Sequence, residues 1–104
     1  MQIVNVLAII TTKSGMRHKV LTEFRAIVPT VLAEAGCIEY QATIDFQNAS
    51  PSQAKIGENT FVVIEKWESL NALKAHSASS HMAAFADETK DLVASRVIHV
   101  LSKI

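Results

Sequence analysis

The chain has 104 residues, 49% of them apolar, with ten basic and ten acidic side chains and zero formal net charge. That length bounds it to a single domain, 1–104, with a thin core, because a chain of this size buries only about two thirds of the surface its unfolded form exposes. Balanced charge with no block of one sign excludes the basic face of a nucleic-acid protein, and the lone cysteine excludes an internal disulfide and fits a reducing, cytoplasmic setting.

The N-terminal run MQIVNVLAII is too short to span a bilayer and lacks a basic start and a small-residue cleavage site, so no membrane insertion is expected. Ile3 to Thr12 reads as a strand. Ile3, Leu7 and Ile9 share one face, and Val4, Val6, Ala8 and Ile10 share the other. Apolar residues on both faces place this strand centrally in a sheet. Asn5 is its polar exception, and an amide buried without a partner costs about 1–3 kcal/mol, so something must meet it.

Lys13-Ser14-Gly15 breaks the pattern, with Ser14 the expected N-cap. From Met16 the apolar residues Val20, Leu21, Phe24, Ile27, Val28, Val31 and Leu32 follow helical spacing. Pro29 inside the run is expected to kink or divide the helix, and Gly36 suits the left-handed residue after it. His18 falls on the charged face. Cys37 to Phe46 alternates, with Ile38, Tyr40, Ala42, Ile44 and Phe46 on one side and Cys37, Glu39, Gln41, Thr43 and Asp45 on the other. No basic neighbour in sequence lowers the Cys37 pKa, which favours a structural thiol. Gln47 to Asn59 reads as a long polar hairpin loop.

The stretch Thr60 to Phe85 gathers most of the reactive side chains. Phe61, Val63, Glu65 and Trp67 share one strand face; Val62, Ile64 and Lys66 share the other. Helical spacing follows through Leu70, Leu73 and Lys74 to His76. After a Ser-rich break, His81 starts a second helical run through Met82 and Phe85, whose face Leu92 and Val93 continue. Arg96 to Leu101 supplies a last strand, with Ile98 and Val100 opposite Val97, His99 and Leu101. Strand, helix, strand, strand, helix, strand is the α+β, ferredoxin-like βαββαβ arrangement around a four-stranded antiparallel sheet. Two helices cover one face of such a sheet, so the apolar second face is expected to meet another copy in a homodimer.

No glycine-rich phosphate loop, nucleophile elbow or cysteine pair is present. His76, His81 and Glu65 are the candidates for a metal site. The five-residue histidine spacing misses one helix face, so no metal is expected there, although the Ser77–Ser80 break leaves convergence open. Either histidine could serve as a general base tuned by Glu65, against plain helix-end roles for both. Trp67, at a strand end, could form a flat wall at a pocket rim, or be core. Met82 and Phe85 fit pocket lining and core equally well.

Glu65-Lys66-Trp67-Glu68-Ser69, followed by Leu73, Ala75-His76 and His81-Met82, resembles the antibiotic biosynthesis monooxygenase family. Ile27-Val28-Pro29-Thr30-Val31-Leu32, Glu34-Ala35-Gly36-Cys37 and Tyr40 resemble, more narrowly, its small quinol monooxygenase branch. The resemblance implies a dimeric α/β-barrel and oxygenation of a small aromatic substrate by dioxygen, with no cofactor. It further implies that His76 or His81 takes a proton, Trp67 and Phe85 clamp the ring with Met82 nearby, and Asn5 and Glu65 hold oxygens or tune the base. Two alternatives stay open: a haem-degrading monooxygenase of the same fold, and a dimeric small-molecule-binding module without turnover. The haem relatives carry their iron-binding histidine further along the second helix, where this chain reads Phe85-Ala86-Asp87.

Overall fold

The computed structural model describes residues 2–104. Strands β1 (Val4–Thr12), β2 (Cys37–Thr43), β3 (Thr60–Trp67) and β4 (Val93–Leu101) alternate with helices α1 (Arg17–Leu32), α2 (Leu70–Ser77) and α3 (Ser80–Thr89) in the order β-α-β-β-α-α-β. The strands form one antiparallel sheet, β2-β3-β1-β4, a ferredoxin-like α+β fold. β1 and β3, the strands apolar on both faces, occupy the two central places. No helix among the described residues is long and apolar enough to cross a membrane.

Register fixes which side chains share a face. Val6 pairs with Glu65 and Val100, and Ala8 with Val63 and Ile98, so these point toward the helices together with Phe61 and Trp67. Against them pack Val20, Leu21, Phe24 and Val31 of α1, Leu73 of α2 and Phe85 of α3. Asn5 pairs with Lys66 and Leu101, and Leu7 with Ile64 and His99; these occupy the opposite, helix-free face.

Several local expectations are corrected. Ser14 does not cap α1, whose N-cap is Met16 without a side-chain bond. The 45–59 loop holds this end instead: Asn59 Oδ1 accepts from the Gly15 N–H at 2.9 Å, and Arg17 donates to the Gly57 and Thr60 carbonyls at 3.1 Å each. Pro29 does not divide α1, which runs unbroken for 16 residues. Arg25, whose carbonyl loses its helical donor to the proline, is exposed, as is Pro29, so water can take the orphaned acceptor. β2 ends at Thr43 rather than Phe46, and Asp45 turns to organise the loop by accepting from the Ile56 and Gly57 N–H groups at 2.9 Å each. Those two bonds hold the Asp45 carboxyl below its usual range.

The register shift between Cys37 and Glu39 makes Ile38 an extra residue. Cys37 therefore pairs with Trp67 and shares the helix-side face with Tyr40, while Ile38 is exposed. Leu92 and Val93 do not continue a helix: α3 stops at Thr89 and β4 begins at Val93.

Candidate active site

Two serines shape the approach to the site. Ser69 caps α2 by accepting from the Ala72 N–H, and Ser79 caps α3 by accepting from Met82. The break between α2 and α3, at Ala78 and Ser79, redirects the chain, so His76 in the last turn of α2 and His81 in the first turn of α3 face a common point. Glu34 occupies that point. It lies in the turn between α1 and β2, where Gly36 adopts φ +85° and a Cβ would come within 2.6 Å of Ala72 Cβ. Only glycine permits both that backbone and the close approach of α2.

Glu34 Oε2 lies 2.8 Å from His76 Nδ1 and 2.8 Å from His81 Nε2. A carboxylate only accepts, so both imidazoles donate to it, and the proton of neutral His76 resides on Nδ1. Nε2 is then the lone-pair nitrogen of a ring that lines the cavity described below. The imidazole packs against two aromatic rings, Trp67 with centroids 4.6 Å apart and a 37° tilt and Tyr40 at 5.3 Å in an edge-type contact.

The cavity, about 280 Å³, lies between the helix-side face of the sheet and the three helices. Its walls are largely apolar, with Phe24, Phe61 and Phe85 among them, and its polar groups are Tyr40, Glu65, His76, Ser77 and Arg96. Burial raises the Glu65 pKa, against the pull of the Trp67 N–H bond and of His76 and with a push from Glu34. The Tyr40 hydroxyl is pushed up by burial and by Glu65 and Glu34, so it stays a donor. Cys37 is likewise raised, first by burial and then by the same two carboxylates, which agrees with a structural thiol.

Of the residues singled out from sequence, His76, Glu65, Met82 and Phe85 line this cavity together. His81 does not line it and joins only through Glu34. Trp67 is fully buried behind the wall, its indole N–H donating to Glu65 Oε1 at 3.0 Å, so it supports two lining residues rather than forming a rim. Asn5 is on the other side of the sheet and takes no part in the cavity, because the period-2 rule sets it apart from Val6 and Glu65. Sequence reasoning gave Glu34 no role of its own and read Arg96 only as the start of the last strand. Glu34 meets His76 across 42 positions, and no local pattern announces a contact so distant in sequence. Among the described residues, Glu34, His76 and His81 also bring three metal-competent atoms within 4.8 Å of one another.

The sequence profile of the antibiotic biosynthesis monooxygenase family matches residues 3–88. The chain is 39% identical over 98 residues to the "Probable quinol monooxygenase YgiN" of Escherichia coli K12, covering 92% of this chain and 93% of that protein. It is 33% identical over 87 residues to the "Putative monooxygenase YcnE" of Bacillus subtilis, covering 83% and 81%. The crystal structure of PA3566 from Pseudomonas aeruginosa superposes with a TM-score of 0.83 at 26% identity, covering 100% of this chain and 96% of that one. The chain belongs to the antibiotic biosynthesis monooxygenase family.

Proposed function

We propose that the protein is a monooxygenase that oxidises a quinol or related hydroxylated aromatic with dioxygen, without a cofactor, and that His76 is its base. The observation that carries this reading is the Glu34–His76 pair. The 2.8 Å bond from Nδ1 orients the ring and leaves Nε2 free to take a proton from a hydroxyl in the cavity. The 39% sequence identity to the "Probable quinol monooxygenase YgiN" supports the substrate class.

The chemistry balances with dioxygen as the oxidant. The hydroxyl O–H bond breaks and its proton moves to His76, leaving an electron-rich phenolate. One electron passes to dioxygen, and the radical pair joins a ring carbon to oxygen. His76 returns the proton to the peroxide, and the ring hydrogen leaves with the distal oxygen as water, giving a carbonyl. Apolar walls keep water from the radical pair, and the Tyr40 hydroxyl can donate to developing charge on oxygen. Oxygen uptake with a panel of reduced quinones and phenols tests this. Uptake should accompany a product carrying one atom from labelled dioxygen. Tight binding without uptake would leave a binding module instead.

The helix-free face belongs to the same proposal. Leu7, Ile9, Val62 and Ile64 cross its centre, and Val97 and Leu101 on β4 are 47% and 44% exposed. A second copy packed face to face would remove this apolar surface from water. Sedimentation should find a dimer, and Ile64→Lys should yield monomers, since it places a charge amid that surface. A monomeric wild type at micromolar concentration would contradict the pairing.

A further inference from the structure

We propose that Glu34, His76 and His81 form a binding site for a borderline first-row divalent cation, zinc being the probe, whose occupancy switches the His76 base off. This rests on the proposed role of His76 for its consequence, but not for the binding itself. Three separate segments converge here: the α1–β2 turn, the end of α2 and the start of α3. Their ligand atoms lie within 4.8 Å of one another, and the carboxylate oxygen is 2.8 Å from each imidazole nitrogen. Two imidazoles and a carboxylate suit zinc and its neighbours, which bind such ligands at about 2.0–2.2 Å. Bringing the nitrogens onto one ion requires a shift of side chains only, with Glu34 swinging aside from its position between them.

Access and support are both present. The Glu34 and His81 side chains keep 15% and 23% of their surface exposed, so an ion can enter from solvent without crossing the cavity. His76 is buried and clamped between Trp67 and Tyr40, which fixes one ligand in advance. The site differs from the combination raised by sequence alone, with Glu34 replacing Glu65 and the Ser77–Ser80 break supplying the convergence that a continuous helix would lack.

The consequence for the base follows from the imidazole's two nitrogens. With no ion, Nδ1 carries the proton toward Glu34 and Nε2 holds the lone pair. An ion on Nδ1 takes that lone pair, so the ring's one proton moves to Nε2. Nε2 becomes a donor and can no longer accept a substrate proton. His81 undergoes the converse exchange, its proton moving from Nε2 to Nδ1. Neutral rings release no proton in either case; a protonated ring releases one.

Equilibrium dialysis of the intact protein against zinc alone reads the site directly, whatever the activity. One zinc per chain is expected, and His81→Asn and Glu34→Gln should each weaken it at least about tenfold, the lower end of what losing a mere orienting partner costs a metal site. His18→Gln, on the exposed face of α1, should leave it unchanged. Circular dichroism melts identify any variant that fails to fold, and Glu34→Asp, which keeps the charge on a shorter stem, then serves as the second probe and should also weaken zinc. No stoichiometric zinc, or zinc that the Glu34 and His81 variants bind as well as wild type, overturns the site. If zinc binds at the site yet leaves quinol oxidation untouched, the switch is overturned. In an enzyme shown to turn over, inhibition reversed by a chelator supports it.

Discussion

His76→Gln is expected to lower the rate of quinol oxidation by about 10²–10⁴-fold, the usual contribution of a positioned base, with little change in KM. Glutamine preserves a donor for Glu34 and much of the ring's bulk but offers no nitrogen that can take a proton. The loss should therefore fall on kcat. Oxygen-electrode kinetics on a folded variant, checked by its melt, reads this split. A variant that retains wild-type kcat would remove His76 from the chemistry, since among the described residues no other imidazole lines the cavity. His81→Asn should cost less, because His81 reaches the cavity only through its bond to Glu34.

Trp67→Ala should be the most destabilising single change outside the chemistry, at about 3–5 kcal/mol. The indole is fully buried, packs on His76 and donates to Glu65. Against a domain stability of about 5–15 kcal/mol, that loss is a large fraction. Urea denaturation measures it, and a cost under about 1 kcal/mol would mean the indole is not the support described. Trp67→Phe separates packing from hydrogen bonding: it keeps most of the volume but strips the donor from Glu65, driving that carboxyl's pKa further up. Glu65 also gives the stability curve a definite sign. Its raised folded pKa means the native chain holds a proton that the unfolded chain has released. The stability this contributes is complete below the ordinary carboxylate range and is lost as pH rises from there through the raised folded value. Subtracting the curve of Glu65→Gln from that of wild type should isolate that fall; a difference rising with pH would reverse the assignment.

What the sequence made legible was set by period and by local chemistry. The two-sided apolarity of Ile3–Thr12 placed β1 at the centre of the sheet, because a strand covered on both faces has no polar side to show. The same period put Glu65 beside Trp67 and made Lys66 face away. It also held the means to separate Asn5 from them, since Asn5 and Val6 cannot share a face, but matching Asn5 to Glu65 needed the β1–β3 register. The bulge at Ile38 was hidden for a related reason: one extra residue flips Cys37 while leaving the alternating pattern of the sequence intact. Glu34 was the largest omission. Its role comes from a glycine turn that lets α2 approach and a serine break that turns α3, two backbone events whose joint result is tertiary. The resemblance to the family pointed to the histidines, and the fold then supplied the carboxylate that joins them and the cavity that, of the two, His76 alone lines.

The most direct measurement is a crystal structure of the protein with an unreactive phenol analogue of its substrate bound. The account places the ring in the cavity among Phe24, Phe61 and Phe85, with its hydroxyl oxygen about 2.6–3.2 Å from His76 Nε2 while Nδ1 stays on Glu34. A ring bound outside that cavity, or a hydroxyl turned away from His76 with the Glu34 bond intact, would contradict it.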